Sequence, residues 1–477
     1  MFFTENRKLK TENLKMHDTI IKEIAAIVGP EHVLTSPEDC WTYAYDATDR
    51  AHAPEAVVFP GSAAEISQVL KLANRHRFPV TPRGAGTGRS GGSVPIAGGV
   101  VLVLTRLNRI LEINRGDMVA VVEPGVITGR LKAAVAEQGL YYPPDPSSAD
   151  FCTIGGNVAE CAGGAVAVQY GVTRDYVLGL QVVLPTGETI EAGTRTMKGV
   201  VGYDLTRLFL GSEGTLGVLT RIILRLVSKP AARQTLAAGF GTLAAAAAAV
   251  TQILTSGLAP TALEFMDRVT LSCVRELLPF AVPPGAAALL LMAVDGHPRD
   301  VAERAARMAR FCREQGARPV IRAKTPAEAE QLWKARQVIS PALLKVKPQK
   351  VSEDVAVPLG AIPALIAGLQ EIARRRGLII PCYGHAGDGN IHVNLLYDQG
   401  LPAERQAVGK AVEEIFTLVR ELNGTLSGEH GIGLTKAPYL GMELSEEVIA
   451  LQRRLKQAFD PQNIMNPGKI FPEATGS

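Results

Sequence analysis

No two of the six cysteines (Cys40, Cys152, Cys161, Cys273, Cys312, Cys382) stand in a C-x-x-C pair. Their scatter argues against an iron–sulfur module, a zinc ribbon or a disulfide scaffold, and fits a reducing, cytoplasmic setting. Net charge is nearly absent too: 50 Lys and Arg against 47 Asp and Glu leave +3, which provides no basic field for nucleic acid. No apolar run approaches the ~20 residues needed for a transmembrane helix. The longest, Leu243 to Leu254, reads as an alanine-rich helix. The start, Met1-Phe2-Phe3, turns at once to Asn6-Arg7-Lys8-Leu9-Lys10, without the apolar centre of a signal peptide. Residues 1–16 are expected to form a mobile tail, with Met16 an alternative start. No H-E-x-x-H occurs, which weakens a metalloprotease reading.

What the chain has is room and glycine. Its 477 residues suffice for two or three domains, and 47% hydrophobic with 20% charged residues is a globular composition. In Pro82–Gly92, PRGAGTGRSGG, five of eleven residues are glycine, so the backbone can adopt positive φ and bring its N–H groups up to a phosphate. Gly86, Gly88 and Gly91 make a formal G-x-G-x-x-G. The Rossmann context is missing, because Gly92, Pro95, Gly98 and Gly99 follow instead of a helix, and then a β-like run, Val100 to Leu104. Loop amides would have to hold the phosphate; on composition alone, an ordinary glycine-rich surface turn fits equally well. Two further dense segments follow, Ile154–Gly164 (IGGNVAECAGG) and Gly211–Val218 (GSEGTLGV), the first soon after the fixed loop Pro143-Pro144-Asp145-Pro146-Ser147-Ser148.

Patterning places a helix over His17 to Val28 and a strand at Val57 to Phe59. Ser62 caps a helix whose Ile66, Val69, Leu70 and Ala73 share a face. Strands are expected at Ala120 to Val122, Tyr176 to Leu184, Ile222 to Val227, Ala287 to Val294 and Pro319 to Ile321. Helices are expected at Arg299 to Glu314 and Ser445 to Phe459, the latter with Val448, Leu451, Leu455 and Phe459 on one face. Glycine density falls after Pro230, where a domain boundary is expected. The predicted organisation is a tail (1–16), a first domain (17–230), a second (231–425) and a C-terminal segment (426–477).

Chemistry concentrates late in the chain. Gly384–Asn394, GHAGDGNIHVN, carries His385 and His392, and its β-like end puts His392 and Asn394 on one face with Ile391, Val393 and Leu395 on the other. Spacing alone favours two histidines bracing a turn. Ser427–Gly433, SGEHGIG, changes the balance: two imidazoles and the Glu429 carboxylate form a divalent-metal ligand set that leaves positions open for a substrate oxygen. His430, next to Glu429 but pointing elsewhere, is then free as a general base. Arg336, in Trp333-Lys334-Ala335-Arg336, has the fork that matches a carboxylate, although taken alone it reads as a solvated arginine.

Together PRGAGTGRSGG, PDPSS, IGGNVAECAGG, YGVTRDYVLGL, GSEGTLGV, GHAGDGNIHVN, SGEHGIG and FDPQNIMNPGK resemble the FAD-linked oxidase family of the vanillyl-alcohol oxidase type, from about Trp41 to Phe471. The nearest branch holds the flavoprotein subunit of glycolate oxidase and the D-lactate and D-2-hydroxyglutarate dehydrogenases. The resemblance implies an α+β fold: a two-subdomain FAD-binding domain, a cap with an antiparallel sheet, and a C-terminal segment returning to the flavin. It implies FAD contacts from Arg83, Gly84, Ala85, Gly86, Thr87, Gly88 and Ser90 at the pyrophosphate. Pro144, Gly155, Gly156, Asn157, Gly163, Gly164, Tyr170 and Gly171 would line the cofactor further. Glu213, Gly217 and Val218 would lie near the ribose or adenine, and Asn466 near the ring. No histidine lies between Thr81 and Pro95, so FAD is expected to be non-covalent. By the same resemblance His385, His392 and Glu429 hold a divalent zinc, manganese or iron ion, Arg336 clamps the substrate carboxylate, Asn394 contacts substrate, and His430 is the base. Lys350 is a further carboxylate partner, in a segment, Lys345 to Asp354, that departs from better-known relatives.

The implied reaction is oxidation of a small D-2-hydroxy acid, glycolate or D-lactate favoured, to the 2-keto acid, with hydride passing to flavin N5. Electrons would leave to an electron-transfer flavoprotein, an iron–sulfur subunit or a quinone, which would also account for any peripheral membrane association, or to O₂ in an oxidase. The alternatives are a D-2-hydroxyglutarate dehydrogenase, a non-catalytic flavin subunit of a larger oxidase, and a metal hydrolase using the same His and Glu residues.

Overall fold

The computed structural model describes residues 18–471; the expected tail 1–16 lies outside them. Short apolar runs become buried strands. Ala56–Val58, Val80–Arg83 and Val100–Val103 pair in parallel, with Val100–Val103 in the middle, and Val33–Leu34 adds antiparallel to the edge. The helix Ala63–His76 crosses between them, its first turn closed as the sequence predicts: Ser62 accepts from the Glu65 amide at 3.2 Å and Glu65 accepts from the Gly61 amide at 2.7 Å. Its Ile66, Val69, Leu70 and Ala73 pack with Ile24 of the first helix, Asp18–Val28.

A second, five-stranded antiparallel sheet has the order Ile110–Asn114, Val119–Val122, Val218–Arg225, Val177–Val183, Thr189–Gly193. After Ser228 the chain passes Lys229-Pro230 into a seven-stranded sheet, entirely antiparallel, beginning with Ala232–Phe240. Four helices, Leu243–Thr255, Pro298–Glu314, Ile362–Arg376 and Pro402–Glu421, cover one face of it with a common apolar core. The chain then returns to the first sheet, where Ile464 and Met465 join its core and Met465 bridges to Val80. This is the expected α+β fold with an antiparallel cap sheet. Among the described residues no helix is long and apolar enough to cross a membrane.

Two local readings change. The second glycine segment opens as a helix, Ile154–Glu160, whose first turn is capped by Thr153 accepting from the Gly156 amide. Gly155 is there for close approach, since a Cβ would lie 2.5 Å from Pro124 Cβ. The helix Glu446–Phe459 forms over its expected span, yet Val448, Leu451 and Leu455 stay 41%, 52% and 38% exposed. It is fastened by other contacts: Phe459 packs edge-on against Phe209, and Lys456 Nζ donates to the Thr215 and Met465 carbonyls.

Candidate active site

A cavity of about 610 Å³ runs between the glycine segments and the cap sheet. Arg83 through Gly88, Gly155, Gly156, Asn157, Gly163, Glu213 and Gly217 line it, and its far wall is Glu429 and His430. The size lies in the ~300–1,000 Å³ range of cofactor sites. Its wall is made by the absence of side chains: Gly86 sits at φ +68°, a Cβ there would be 2.1 Å from Arg83 Nη2, and a Cβ on Gly84 would be 2.3 Å from Thr153 Oγ1. These residues fit an extended nucleotide held by backbone. Ser90, Pro144, Gly164, Tyr170, Gly171, Val218 and Asn466, also expected at the cofactor, do not line the cavity. Ser90 and Asn466 brace the wall from behind: Ser90 Oγ accepts from the Gly92 amide, and Asn466 Nδ2 donates to the carbonyls of Gly92 and Glu213 at 2.7 and 2.8 Å. Tyr170 points to Asp295 instead.

The cap sheet assembles the rest. In strands Ala262–Asp267, Cys382–His385 and Asn390–Tyr397, alternation sends Leu263, Phe265, Cys382, Ile391 and Val393 into the helix-covered core. Glu264, His385, His392 and Asn394 therefore share the opposite face. Gln349–Ala356 adds Asp354 to this face, directly across from His392. His385 Nε2 and His392 Nε2 each lie 3.5 Å from Glu429 Oε1. Donors about 2.1 Å from one ion at tetrahedral angles would be about 3.4 Å apart, so this trio has the chemistry and spacing for a divalent cation. Its ligand atoms all fall within 4.8 Å of one another.

The surroundings are carboxylates that sequence reasoning missed. Glu264, wholly buried, accepts from His385 Nδ1 at 2.6 Å and from Arg336 Nε at 2.6 Å. That bond turns His385 Nε2 toward the ligand position. Burial works against charge at Glu264, yet His385 and Arg336 hold its carboxyl below the usual range. Burial also opposes charge on His385, but Glu264 and Glu429 raise its pKa well above the ordinary imidazole value, so the site favours positive charge between these two carboxylates. His392, desolvated and facing His385 and His430, is pushed well below and stays neutral, as a metal ligand must be.

Asp354 is the second hub. Its Oδ2 accepts from the amides of Glu429 (2.6 Å) and His430 (3.0 Å), and its Oδ1 takes Lys436 Nζ and Ser427 Oγ. Burial would raise its pKa, but His430 and Lys436 hold it well below the usual range. His430 Nδ1 lies 3.2 Å from Asp354 Oδ1, a charge contact short of hydrogen-bond geometry, and its ring stacks on His392 at 5.4 Å. Asn394 Oδ1 accepts from Ser352, while its Nδ2 is buried with no protein partner. An orphaned buried donor there fits a ligand acceptor. Arg336 is buried in the last turn of Pro326–Gln337, stacked over Tyr383 at 4.7 Å, not solvated as the isolated motif reads. The local signal for Glu264 was a carboxylate inside the apolar run ALEFMD; Asp354 and Lys436 carry no signal until the chain folds.

A family model described as FAD binding domain matches residues 54–193, and one described as FAD linked oxidases, C-terminal domain, matches 229–470. The chain is 43% identical to the glycolate oxidase subunit GlcD of Bacillus subtilis, over 94% of this chain and 96% of that one. It is 36% identical to a D-lactate dehydrogenase of Anaerostipes hadrus (93% and 95% covered) and 34% identical to a D-2-hydroxyglutarate dehydrogenase of Stutzerimonas stutzeri (95% and 98%). Among solved structures, p-cresol methylhydroxylase with substrate bound superposes with a TM-score of 0.80 at 18% identity, covering 96% of this chain and 98% of that one, a likeness of fold. With an FAD-binding domain, a matching C-terminal domain and relatives aligned along nearly its whole length, this chain belongs to the FAD-linked oxidase family.

Proposed function

We propose that this flavoenzyme oxidises a small D-2-hydroxy acid to the 2-keto acid, glycolate or D-lactate before D-2-hydroxyglutarate. The observation that carries the reading is that Glu429 and His430 line the end of the cavity bordered by the glycine loop, and that Glu429 joins His385 and His392, which lie behind that wall, in one ligand cluster. The aligned relatives named for glycolate, D-lactate and D-2-hydroxyglutarate support the substrate class. FAD supplies a two-electron acceptor, and a divalent cation held by His385, His392 and Glu429 supplies Lewis acidity.

The chain's own residues do the rest. Arg336, fixed at Nε by Glu264 and with no hydrogen bond from its Nη groups to the described residues, presents them to the substrate carboxylate. Asn394 Nδ2 donates to a substrate oxygen. His430 has Nδ1 toward Asp354, so Nε2 is the nitrogen that takes the hydroxyl proton, and Asp354 stabilises the imidazolium that results. Lys350, tied to Ser340, adds positive charge behind Ser340 and Arg89, which line the cavity. The absence of any clustered cysteines supports a separate electron acceptor, as does the relative's designation as a subunit.

The experiment is anaerobic addition of a panel of 2-hydroxy acids to the FAD-loaded chain, followed by the visible flavin band. Bleaching by one or more D-2-hydroxy acids is expected; a band unchanged by the whole panel would remove the reading.

A further inference from the structure

Glu160 is used by none of these steps, yet it sits where four segments meet. It ends the helix Ile154–Glu160 and lines the cavity, and its Oε2 is buried without a hydrogen-bond partner. Glu213 sits beside it. The two carboxyl groups bracket the same two glycines. A Cβ on Gly431 would lie 2.5 Å from Glu160 Oε2 and 2.9 Å from Glu213 Oε1; one on Gly92 would lie 2.8 Å from Glu160 Oε1 and 3.7 Å from Glu213 Oε2. Gly92 belongs to the flavin loop and Gly431 to the segment bearing Glu429 and His430. Glu213 grips that segment directly, accepting from the amides of Ile432 (2.8 Å) and Gly433 (2.7 Å), and is held at φ +52°. Its own amide is bonded to the Ala159 carbonyl at 2.9 Å, which ties the two carboxyl groups to one frame.

We infer that Glu160 and Glu213 form a buried carboxyl pair sharing one proton, and that the pair positions the Glu429–His430 segment against the flavin-binding loops. Glu213, with two amide donors, carries the charge. Glu160 carries the proton, and its otherwise unpartnered oxygen then has Glu213 as acceptor. The groups facing the pair are few. Asp46, Asp354 and the Ser90 hydroxyl face Glu160, and Lys469 and Lys436 face Glu213. Burial first, then Glu213, push the Glu160 carboxyl well above the ordinary range. Burial pushes Glu213 up to about 7 against the pull of the two amides and the two lysines. Two adjacent buried carboxyl groups resist a second ionisation. Both values are raised, so the stabilisation is complete only below the ordinary carboxyl value; it falls from there through about 7 as Glu213 takes up its charge, leaving the single shared proton, and falls further as Glu160 loses that proton.

This rests on where Glu429 and His430 lie, not on which hydroxy acid is oxidised, so the test does not depend on substrate. The thermal midpoint of the FAD-loaded chain is measured from about pH 4 to about pH 9, a span that brackets ordinary and raised carboxyl values, for wild type, Glu160→Gln, Glu160→Ala and Glu213→Gln. Glu160→Gln offers an N–H donor to Glu213 without a second charge. It should match wild type at the acid end and exceed it by roughly 2 °C at the alkaline end. Glu213→Gln should show the same loss of alkaline sensitivity, and Glu160→Ala should be lowered throughout. Where a substrate has been found, the alkaline fall in wild-type kcat should be shallower in Glu160→Gln. A wild-type-minus-Gln difference that stays constant with pH, or a Glu160→Gln chain as damaged as Glu160→Ala at the acid end, would overturn the shared proton.

Discussion

The glycine loop and the Glu429–His430 segment, which the cap sheet backs, face each other across one cavity, and the two regions are built by opposite means. Around Gly84 and Gly86 the ligand surface is backbone, kept open because no side chain fits. Around His385 and Asp354 it is side chain: His385, His392, Glu264, Arg336 and Asp354 are buried, Glu429 and His430 partly so, and they are held by strand pairing or by hydrogen bonds to the carboxylates behind them. The cofactor wall is tightest at Gly84 and Gly86, where an added Cβ would meet Thr153 and Arg83. The proposed reacting groups instead come from the sheet (His385, His392, Asn394), a helix (Arg336) and the Glu429–His430 segment bonded to it, and each depends on a neighbour. Adding a methyl should therefore injure the first region, and removing a polar group the second.

The largest effect belongs to the second region. His430→Ala should lower kcat by about 10²- to 10⁴-fold, the usual worth of a positioned base, while the flavin absorbance of the purified protein stays that of wild type. Equal rates in the two proteins would remove the base. Next comes the support behind the ligands: Glu264→Gln should weaken divalent-metal binding by about 10- to 100-fold, read by metal titration of the stripped protein. Unchanged affinity would mean that the Glu264 bond to His385 does not tune the site.

The first region answers to the reverse change. Gly86→Ala places a Cβ at φ +68° and 2.1 Å from Arg83, and roughly tenfold weaker FAD binding is expected from a cost of about 1–2 kcal/mol. FAD retention equal to wild type through gel filtration would show that the loop has room to give. The smallest effect lies where the regions meet. Burial and then neighbouring Arg89 lower the Lys350 pKa to about 8. Lys350 is charged below that pH and neutral above it, so KM for the hydroxy acid should rise severalfold on crossing it. Lys350→Met should remove that rise, and a rise that persists in the variant would place its origin elsewhere.

How far the sequence foretold these regions follows from how each is made. Glycine crowding is written locally, so Pro82–Gly92 could be read directly, although Ile154–Glu160 concealed a helix because its glycines serve close packing instead of positive φ. His385, His392, Glu429 and His430 were legible because imidazoles and a carboxylate among glycines are unusual. Glu264 was not, since it meets His385 only through strand pairing across 121 positions. Asp354 and Lys436 meet across 82, where the returning C-terminal segment folds over the strand that carries Asp354. The exposed Val448, Leu451 and Leu455 show the converse: a helical pattern fixes the helix but not what covers it.

The central claim is that a cation held by His385, His392 and Glu429 works on a substrate facing the flavin. The most direct test is single-turnover flavin reduction by the D-hydroxy acid found in the panel, comparing metal-loaded protein with protein verified as metal-free. Rapid reduction in the first, little in the second, and recovery on adding back the ion are expected. Equal reduction rates in both preparations would contradict the account.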